Sequence, residues 1–578
     1  MKRIFLPSLV ALAMSATFPT FLPTIAAGSA AGTFKAPTAR WTESVAFDVS
    51  PSLSDMALHR ITPDVEEEDS AEEAREAHQP QAAADSGFTG DSVVQSIAPT
   101  PAIPSASTNF EGLSNQNNFN LFGFRVNPPD PVGDVGPNHY VEMANLAFAV
   151  YDKSGNLLLG PVDTGTLWSN FAIADCTDPS GDPVVLYDQF ADRWLLSQFT
   201  TQGPKYYDCV AISQTPDPTG PYYRYAFVTQ PDPELPGGTF FPDYPKYSVW
   251  KDSYVLTTRD FGDVTGYGVS VYGLEKNKLV NGQAKARAVQ YFLDSNVVPL
   301  NLIGDGLLPA DVDGKTKPKN DAPIPIVGTQ DDGAGYGATF DAVNIFEFDV
   351  LWNSKPISSL KLAAQLPVAA FDSIFPCAPT SRDCLPQPGI TNPAQYLDIL
   401  SYRQRPTYRL GYRSFGTYEA LVTNQSVEAA PGVAGVRWYE IRRAKGIYSV
   451  RQQGTFAPSD GVHRWMGSAA MDWQGNIALG YSVVNGTSVY PGIRYTGRAA
   501  SDPLNQMTLG EGTIINGTGV QRTTNSRWGD YSSLNVDPSD DCTFWYVNEY
   551  YTLAGQLSST AGWQTRIGNF QLPGCYAK

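Results

Sequence analysis

Arg464-Trp-Met-Gly-Ser468, running on to Asp472 and Asn476-Ile-Ala-Leu-Gly480, returns later as Arg527-Trp-Gly-Asp-Tyr-Ser532, running on to Asp537 and Thr543-Phe-Trp-Tyr546. Each copy is a polar turn, a short apolar run, an Asp-containing turn and an aromatic-rich run. Short runs of this composition between Asp, Asn, Gly and Pro are strand signals, and helical periodicity is nearly absent after about Asn109. The body of the chain therefore reads as all-β.

Working outward, degenerate copies precede these two. Asp130-Pro-Val-Gly-Asp134 leads to His139-Tyr-Val-Glu-Met143, Gly181-Asp-Pro-Val-Val-Leu-Tyr-Asp188 to Arg193-Trp-Leu-Leu-Ser197, and Pro242-Asp-Tyr-Pro-Lys-Tyr247 to Tyr254-Val-Leu-Thr257. Two weaker units run from Leu308-Pro-Ala-Asp311 to Asn344-Ile-Phe-Glu-Phe348, and from Tyr408-Arg-Leu-Gly-Tyr412 to Tyr418-Glu-Ala-Leu-Val422. Residues 108–578 exceed what one ordinary core holds, so a radially repeated architecture is expected. The reading is a seven-bladed β-propeller, with six blades as the alternative count and separate β-sandwiches as the alternative architecture. Radial closure hides the strand edges that such a chain would otherwise expose.

The N-terminal part is different. Met1-Lys2-Arg3, an apolar stretch from Ile4 and small residues around Ala26-Ala27 have the layout of a signal peptide over residues 1–27. Residues 28–107 hold thirteen acidic against four basic residues, including Val65-Glu66-Glu67-Glu68-Asp69. Few large apolar side chains accompany them, so a disordered acidic leader or propeptide is expected. No later segment has the length and hydropathy of a transmembrane helix.

Export to a secreted or periplasmic location implies an oxidising compartment. The six cysteines fall as near neighbours, so the pairs Cys176–Cys209, Cys377–Cys384 and Cys542–Cys575 are expected as disulfides. A net charge of −18 makes nucleic acid a poor partner. Zinc-protease, α/β-hydrolase, phosphate-loop and dinucleotide motifs are all absent.

In a propeller the starts of the repeats converge on a central channel. That places Asp134, Asp182, Asp243 and Asp530 as candidate catalytic carboxylates, with His139 as a proton carrier. Tyr412, Arg413, Arg464 and Arg527 are the candidate substrate-binding residues, because guanidinium groups grip acidic or hydroxylated ligands. Tyr412 with Glu419 is also a candidate nucleophile pair. The alternative role for each Asp and Arg is to cap turns or join neighbouring blades. Asp311 and Asp313 have the close spacing that suits a structural calcium ion, the one cofactor the sequence suggests.

Asp130 to His139, Arg464 to Asp472, Arg527 to Ser532 and Asp541 to Trp545 together resemble secreted bacterial β-propellers, a likeness that carries no transferable activity. A more distant resemblance is to sialidase-like and other glycan-active propellers. Their Asp-box, Ser-x-Asp-x-Gly-x-x-Trp, is approached by Ser213-Gln-Thr-Pro-Asp217-Pro-Thr-Gly220-Pro-Tyr222, in similar order but with different spacing. The Asp and Arg set at the repeat starts suits a polysaccharide or glycoconjugate as partner, and a monomer is expected. The expected function is glycoside hydrolysis or polysaccharide elimination, and the alternative is a non-catalytic lectin-like or protein-binding propeller.

Overall fold

Trp465 and Trp528, the landmarks of the two best copies, pack against each other with ring centroids 5.1 Å apart, both almost fully buried. One lies in the strand His463–Met471 and the other just ahead of Ser533–Val536. The computed structural model describes residues 36–60, 90–230, 238–263, 266–333, 335–378, 382–399 and 404–576. All of them fall within one unit, Ala36–Lys578.

The described residues form six sheets, one of them nine-stranded. That large sheet is two antiparallel runs joined by a parallel pairing of Leu308–Val312 with Thr407–Ser414. Every antiparallel run of the body begins with one of the strands Val132–Val135, Val184–Asp188, Phe240–Val249, Leu308–Val312, Thr407–Ser414, His463–Met471 or Ser533–Val536; in the first six the next three strands follow in chain order, and in the last the next two do. Each of these first strands touches the next, and Ser533–Val536 touches Val132–Val135, so their contacts close a cycle. The quoted repeat starts thus stand at or just before the heads of first strands.

Because neighbouring sheets cover both faces, several strands are buried along their whole length. Val184–Asp188, Phe240–Val249, Ser253–Gly262 and His463–Met471 are buried at every position. Polar side chains buried here link one run to the next. The Ser468 hydroxyl accepts from Leu534 N at 3.0 Å, Asp311 accepts from Val249 N at 2.8 Å, and the Asn535 amide donates to the Gly133 carbonyl at 2.7 Å.

The expectation of a disordered leader over residues 28–107 needs correcting for its described parts. Arg40–Glu43 pairs with Arg287–Asp294 and Ala46–Ser52 with Pro221–Val228, each adding a fifth strand to a sheet. Val94–Gln95 adds to Ile447–Phe456 beside a fully buried Asp91–Arg437 ion pair at 3.0 Å. Thr108–Ser114 pairs with Trp563–Gln571, so an N-terminal strand completes the C-terminal sheet. An outer strand needs no core of its own, which is why averaged composition hid these segments. Residues 1–35, with the expected signal peptide, and 61–89, with the Glu66–Asp69 run, lie outside the described residues.

All three expected disulfides are present. Among the described residues no helix is long and apolar enough to cross a membrane.

Burial of carboxyls within the sheets has a consequence for pH. Desolvation pushes Asp134, Glu142, Asp260 and Asp341 up to about 7, from ordinary values of 3.8 to 4.5. Folding raises these values, so the folded chain holds more protons between about pH 4 and 7, and the stabilisation is lost as pH rises through that window. Glu511 behaves oppositely: burial would raise it, but Arg464 and Arg494 outweigh that and hold it below its ordinary value. Its contribution is lost as pH falls. Thermal melts should therefore show a higher Tm near about pH 5 than near about pH 8; a Tm that climbs steadily to pH 8 would contradict this account.

Candidate functional site

The starts of the first strands gather charged and aromatic side chains at one end of the cycle. Asp182 lies two residues before the strand Val184–Asp188, Asp243, Tyr244 and Lys246 lie on Phe240–Val249, Asp305 precedes Leu308–Val312, Arg405 precedes Thr407–Ser414, and Arg527, Asp530 and Tyr531 precede Ser533–Val536. Arg259 reaches them from the second strand, Ser253–Gly262.

Their contacts are specific. Arg405 Nη2 lies 3.1 Å from Asp530 Oδ2 and Arg527 Nη2 lies 3.6 Å from Asp530 Oδ1. Arg259 stands between Asp243, at 3.9 Å, and Asp305, at 3.8 Å. The Tyr531 hydroxyl is 3.0 Å from Asp182 Oδ2 and the Tyr336 hydroxyl donates to Asp305 Oδ1 at 2.5 Å. Lys246 Nζ sits between two rings, 2.9 Å from the Tyr244 centroid and 3.4 Å from that of Tyr531, while the Arg405 guanidinium lies 3.6 Å from the Tyr244 centroid. Most of this set is buried, and Asp182 is more exposed than its carboxylate neighbours.

A local backbone feature marks the same end. Asp130, Asp182 and Tyr244 have φ of 43°, 49° and 57°, and each precedes a proline. Non-glycine residues in the left-handed region ahead of proline are strained, and such strain persists only where surrounding structure enforces it. At Asp130 it is enforced by Asn145, whose amide donates to Asp130 Oδ2 at 2.6 Å, and by Asp530 N, 2.5 Å from Oδ1.

Of the sequence-derived candidates, Asp182, Asp243, Asp530 and Arg527 meet here. Asp134 does not, because it lies four residues along the chain from Asp130, and four residues of strand carry it about 13 Å away. It lies with Asp311, Asp313 and Arg409 at the other end of the first strands, where Asp134 accepts from Val135 N at 2.7 Å, Tyr187 N at 2.7 Å and the Asn535 amide at 2.6 Å. Those bonds give it a joining role between runs. His139 sits in the hairpin after Val132–Val135, partly exposed, and burial lowers its pKa.

Arg413 is paired with Asp541 at 2.5 Å, and Arg464, fully buried, with Asp460 at 2.7 Å and Glu511 at 2.9 Å. Both are structural ion pairs rather than ligand contacts, and Arg464 lies within its own sheet. Tyr412 does donate to Glu419 Oε1 at 2.9 Å, with Arg443 3.0 Å from Oε2. Burial, with the Glu419 charge adding to it, pushes the phenol far up.

The calcium expectation for Asp311 and Asp313 is corrected in the same way. Their carboxylates hold the Arg409 guanidinium, at 2.9 and 2.7 Å. Among the described residues, Asp331, Asp332 and Asp341 have ligand atoms within 4.8 Å of one another. However, Asp331 accepts from Gly333 N and Ser373 N, both at 2.7 Å, and Asp341 from Asp332 N at 2.8 Å and Phe371 N at 2.6 Å. Each of the four oxygens of Asp331 and Asp341 thus already accepts from a backbone amide.

Sequence reasoning missed Lys246, Arg259, Asp305, Arg405 and Tyr244. One signal was available: Tyr244-Pro-Lys246 repeats Asp130-Pro-Val132 and Asp182-Pro-Val184, so a lysine stands where the other copies carry valine. Arg259 had no such signal, since it comes from a second strand.

No protein-family model matches the chain, and no curated protein matches it. Among solved structures it is similar to the Penicillium chrysogenum α-L-arabinanase complexed with arabinobiose, at 10% identity and a TM-score of 0.36, covering 82% of this chain and 100% of that one. It is also similar to the Fusarium graminearum GH93 α-L-arabinofuranosidase, at 9% identity and a TM-score of 0.34, covering 67% and 93%. A third likeness is to a subtype N10 neuraminidase-like protein of A/little yellow-shouldered bat/Guatemala/060/2010, at 9% identity and a TM-score of 0.29, covering 69% and 100%. These are distant similarities to glycan-active and neuraminidase-like proteins.

Proposed function

We propose that this chain is a seven-bladed β-propeller, exported from the cell, that acts on glycans by hydrolysis or elimination. The observation that carries the reading is the convergence of Asp182, Asp243, Asp305 and Asp530 with Arg259, Arg405 and Tyr244 at the heads of the first strands. Carboxylates divide acid and base or nucleophile work at a glycosidic bond, and guanidinium groups hold hydroxyls or acidic groups.

Within that set Asp182 and Asp243 are the pair assigned to chemistry. Asp530 is held by two guanidinium groups, and so acts as a positioning residue for Arg405 and Arg527. The three disulfides agree with an extracellular or periplasmic location.

The test is a screen of the chain freed of residues 1–27 against acidic and neutral polysaccharides, reading reducing ends and unsaturated products together. Residues 36–60 and 90–107 should stay, since they contribute strands. New reducing ends alone are expected from a hydrolase, and unsaturated ends from a lyase. Binding without product would replace catalysis with the lectin-like reading, and neither binding nor product would overturn the glycan assignment.

A further inference from the structure

Two cations at this end lack the hydrogen-bond acceptors that buried cations ordinarily have. Lys246 is 1% exposed, yet its Nζ makes no hydrogen bond and rests between the Tyr244 and Tyr531 rings. Arg405 is 3% exposed and spends Nη2 on Asp530, while its Nε and Nη1 have no acceptor. Buried donors without partners are rare in folded proteins because each loses its water without replacement, and charged donors lose most.

The surroundings narrow what could satisfy them. Lys246 is faced by Asp182 from the turn before Val184–Asp188, by Asp243 and Tyr244 on its own strand, by Arg405 ahead of Thr407–Ser414, and by Asp530 and Tyr531 ahead of Ser533–Val536. Burial, with the Arg405 charge adding to it, pushes the Lys246 ammonium well below its ordinary range despite these carboxylates. Asp530 is already shared between Arg405 and Arg527. The valines at the matching positions of the two preceding copies show that the fold does not need a lysine there.

We infer that Lys246 and Arg405 receive the carboxylate of an acidic sugar, making uronate-containing glycans the substrate class of this site. The inference rests on the glycan reading above and deepens it. A carboxylate supplies two acceptor oxygens and a negative charge, which matches an ammonium and a guanidinium that still have donors without acceptors. A neutral hydroxyl offers an acceptor but no charge.

The decisive measurement is calorimetric binding of oligogalacturonate, oligomannuronate and oligoglucuronate, each against its own methyl ester, to the chain freed of residues 1–27. The free acid of at least one is expected to bind about 10- to 100-fold more tightly than its ester. Lys246→Met should remove most of that preference while leaving binding of the ester in place, and Arg405→Gln should weaken binding of the acid more than that of the ester. Thermal melts would show whether the variants fold; if they do not, the comparison of acid with ester on the unaltered chain still decides. Equal binding of acid and ester, or tighter binding of a sulfated neutral oligosaccharide, would overturn the inference and leave the glycan reading standing. No binding or turnover of any glycan would overturn both.

Discussion

Replacing Arg409 with leucine is expected to lower the free energy of unfolding by about 3–5 kcal/mol, the usual consequence of removing one partner from a buried ion pair. Arg409 is 3% exposed, and its guanidinium contacts Asp311 at 2.9 Å, Asp313 at 2.7 Å and the Leu534 carbonyl at 3.1 Å. It thereby joins three first strands, Leu308–Val312, Thr407–Ser414 and Ser533–Val536, which are distant in sequence. Leucine would leave two buried carboxylates beside each other with no counter-charge. Folding would then require that at least one be protonated, so the loss should be smaller at low pH. Burial already raises Asp311, and repulsion from Asp313 adds to that once Arg409 is gone. Denaturant titrations of the variant, and of a triple variant carrying Asp311→Asn and Asp313→Asn as well, provide the check. The triple variant should regain part of the loss. A loss below about 1 kcal/mol for Arg409→Leu would show that solvent reaches this end freely.

Asp182→Asn and Asp243→Asn are each expected to cut glycan turnover by about 10²- to 10⁴-fold, the range that positioned acid and base groups supply. Asparagine keeps the shape and hydrogen-bonding capacity of the side chain but cannot accept or release a proton, or attack a sugar carbon. Asp530→Asn should behave differently. It would loosen Arg405 and Arg527 and so raise KM along with any loss in kcat, because those groups position the ligand. Steady-state kinetics on whichever polysaccharide yields product separates the cases. If Asp182→Asn and Asp243→Asn both retain full kcat, the chemistry belongs elsewhere.

Much of this arrangement was legible in the chain, for a local reason. Strand-forming runs and Asp-Pro or Trp-Gly turns are short-range features, so the all-β class and the heads of the first strands could be read from recurring segments such as 130–134, 182–188, 464–468 and 527–532. Cysteine proximity and compartment were likewise enough to find the three disulfides. Asp182, Asp243, Arg527 and Asp530 were found because they stand at those heads.

What the chain alone could not reveal depends on distance along a strand and on contacts between sheets. Asp130 and Asp134 belong to one motif, yet strand rise puts one at each end of the cycle, and nothing local says which end carries the site. Arg464 opens a repeat much as Arg527 does, but Asp460 and Glu511 hold it inside its own sheet. The outer strands at Arg40–Glu43 and Ala46–Ser52 are formed by partners more than a hundred residues away, so their acidic setting concealed them. The sequence by itself determined the strand-forming repeats and the covalent cross-links. Only the tertiary structure decided which charges meet, because side chains converge when first strands from separate sheets pack side by side, and that packing is non-local.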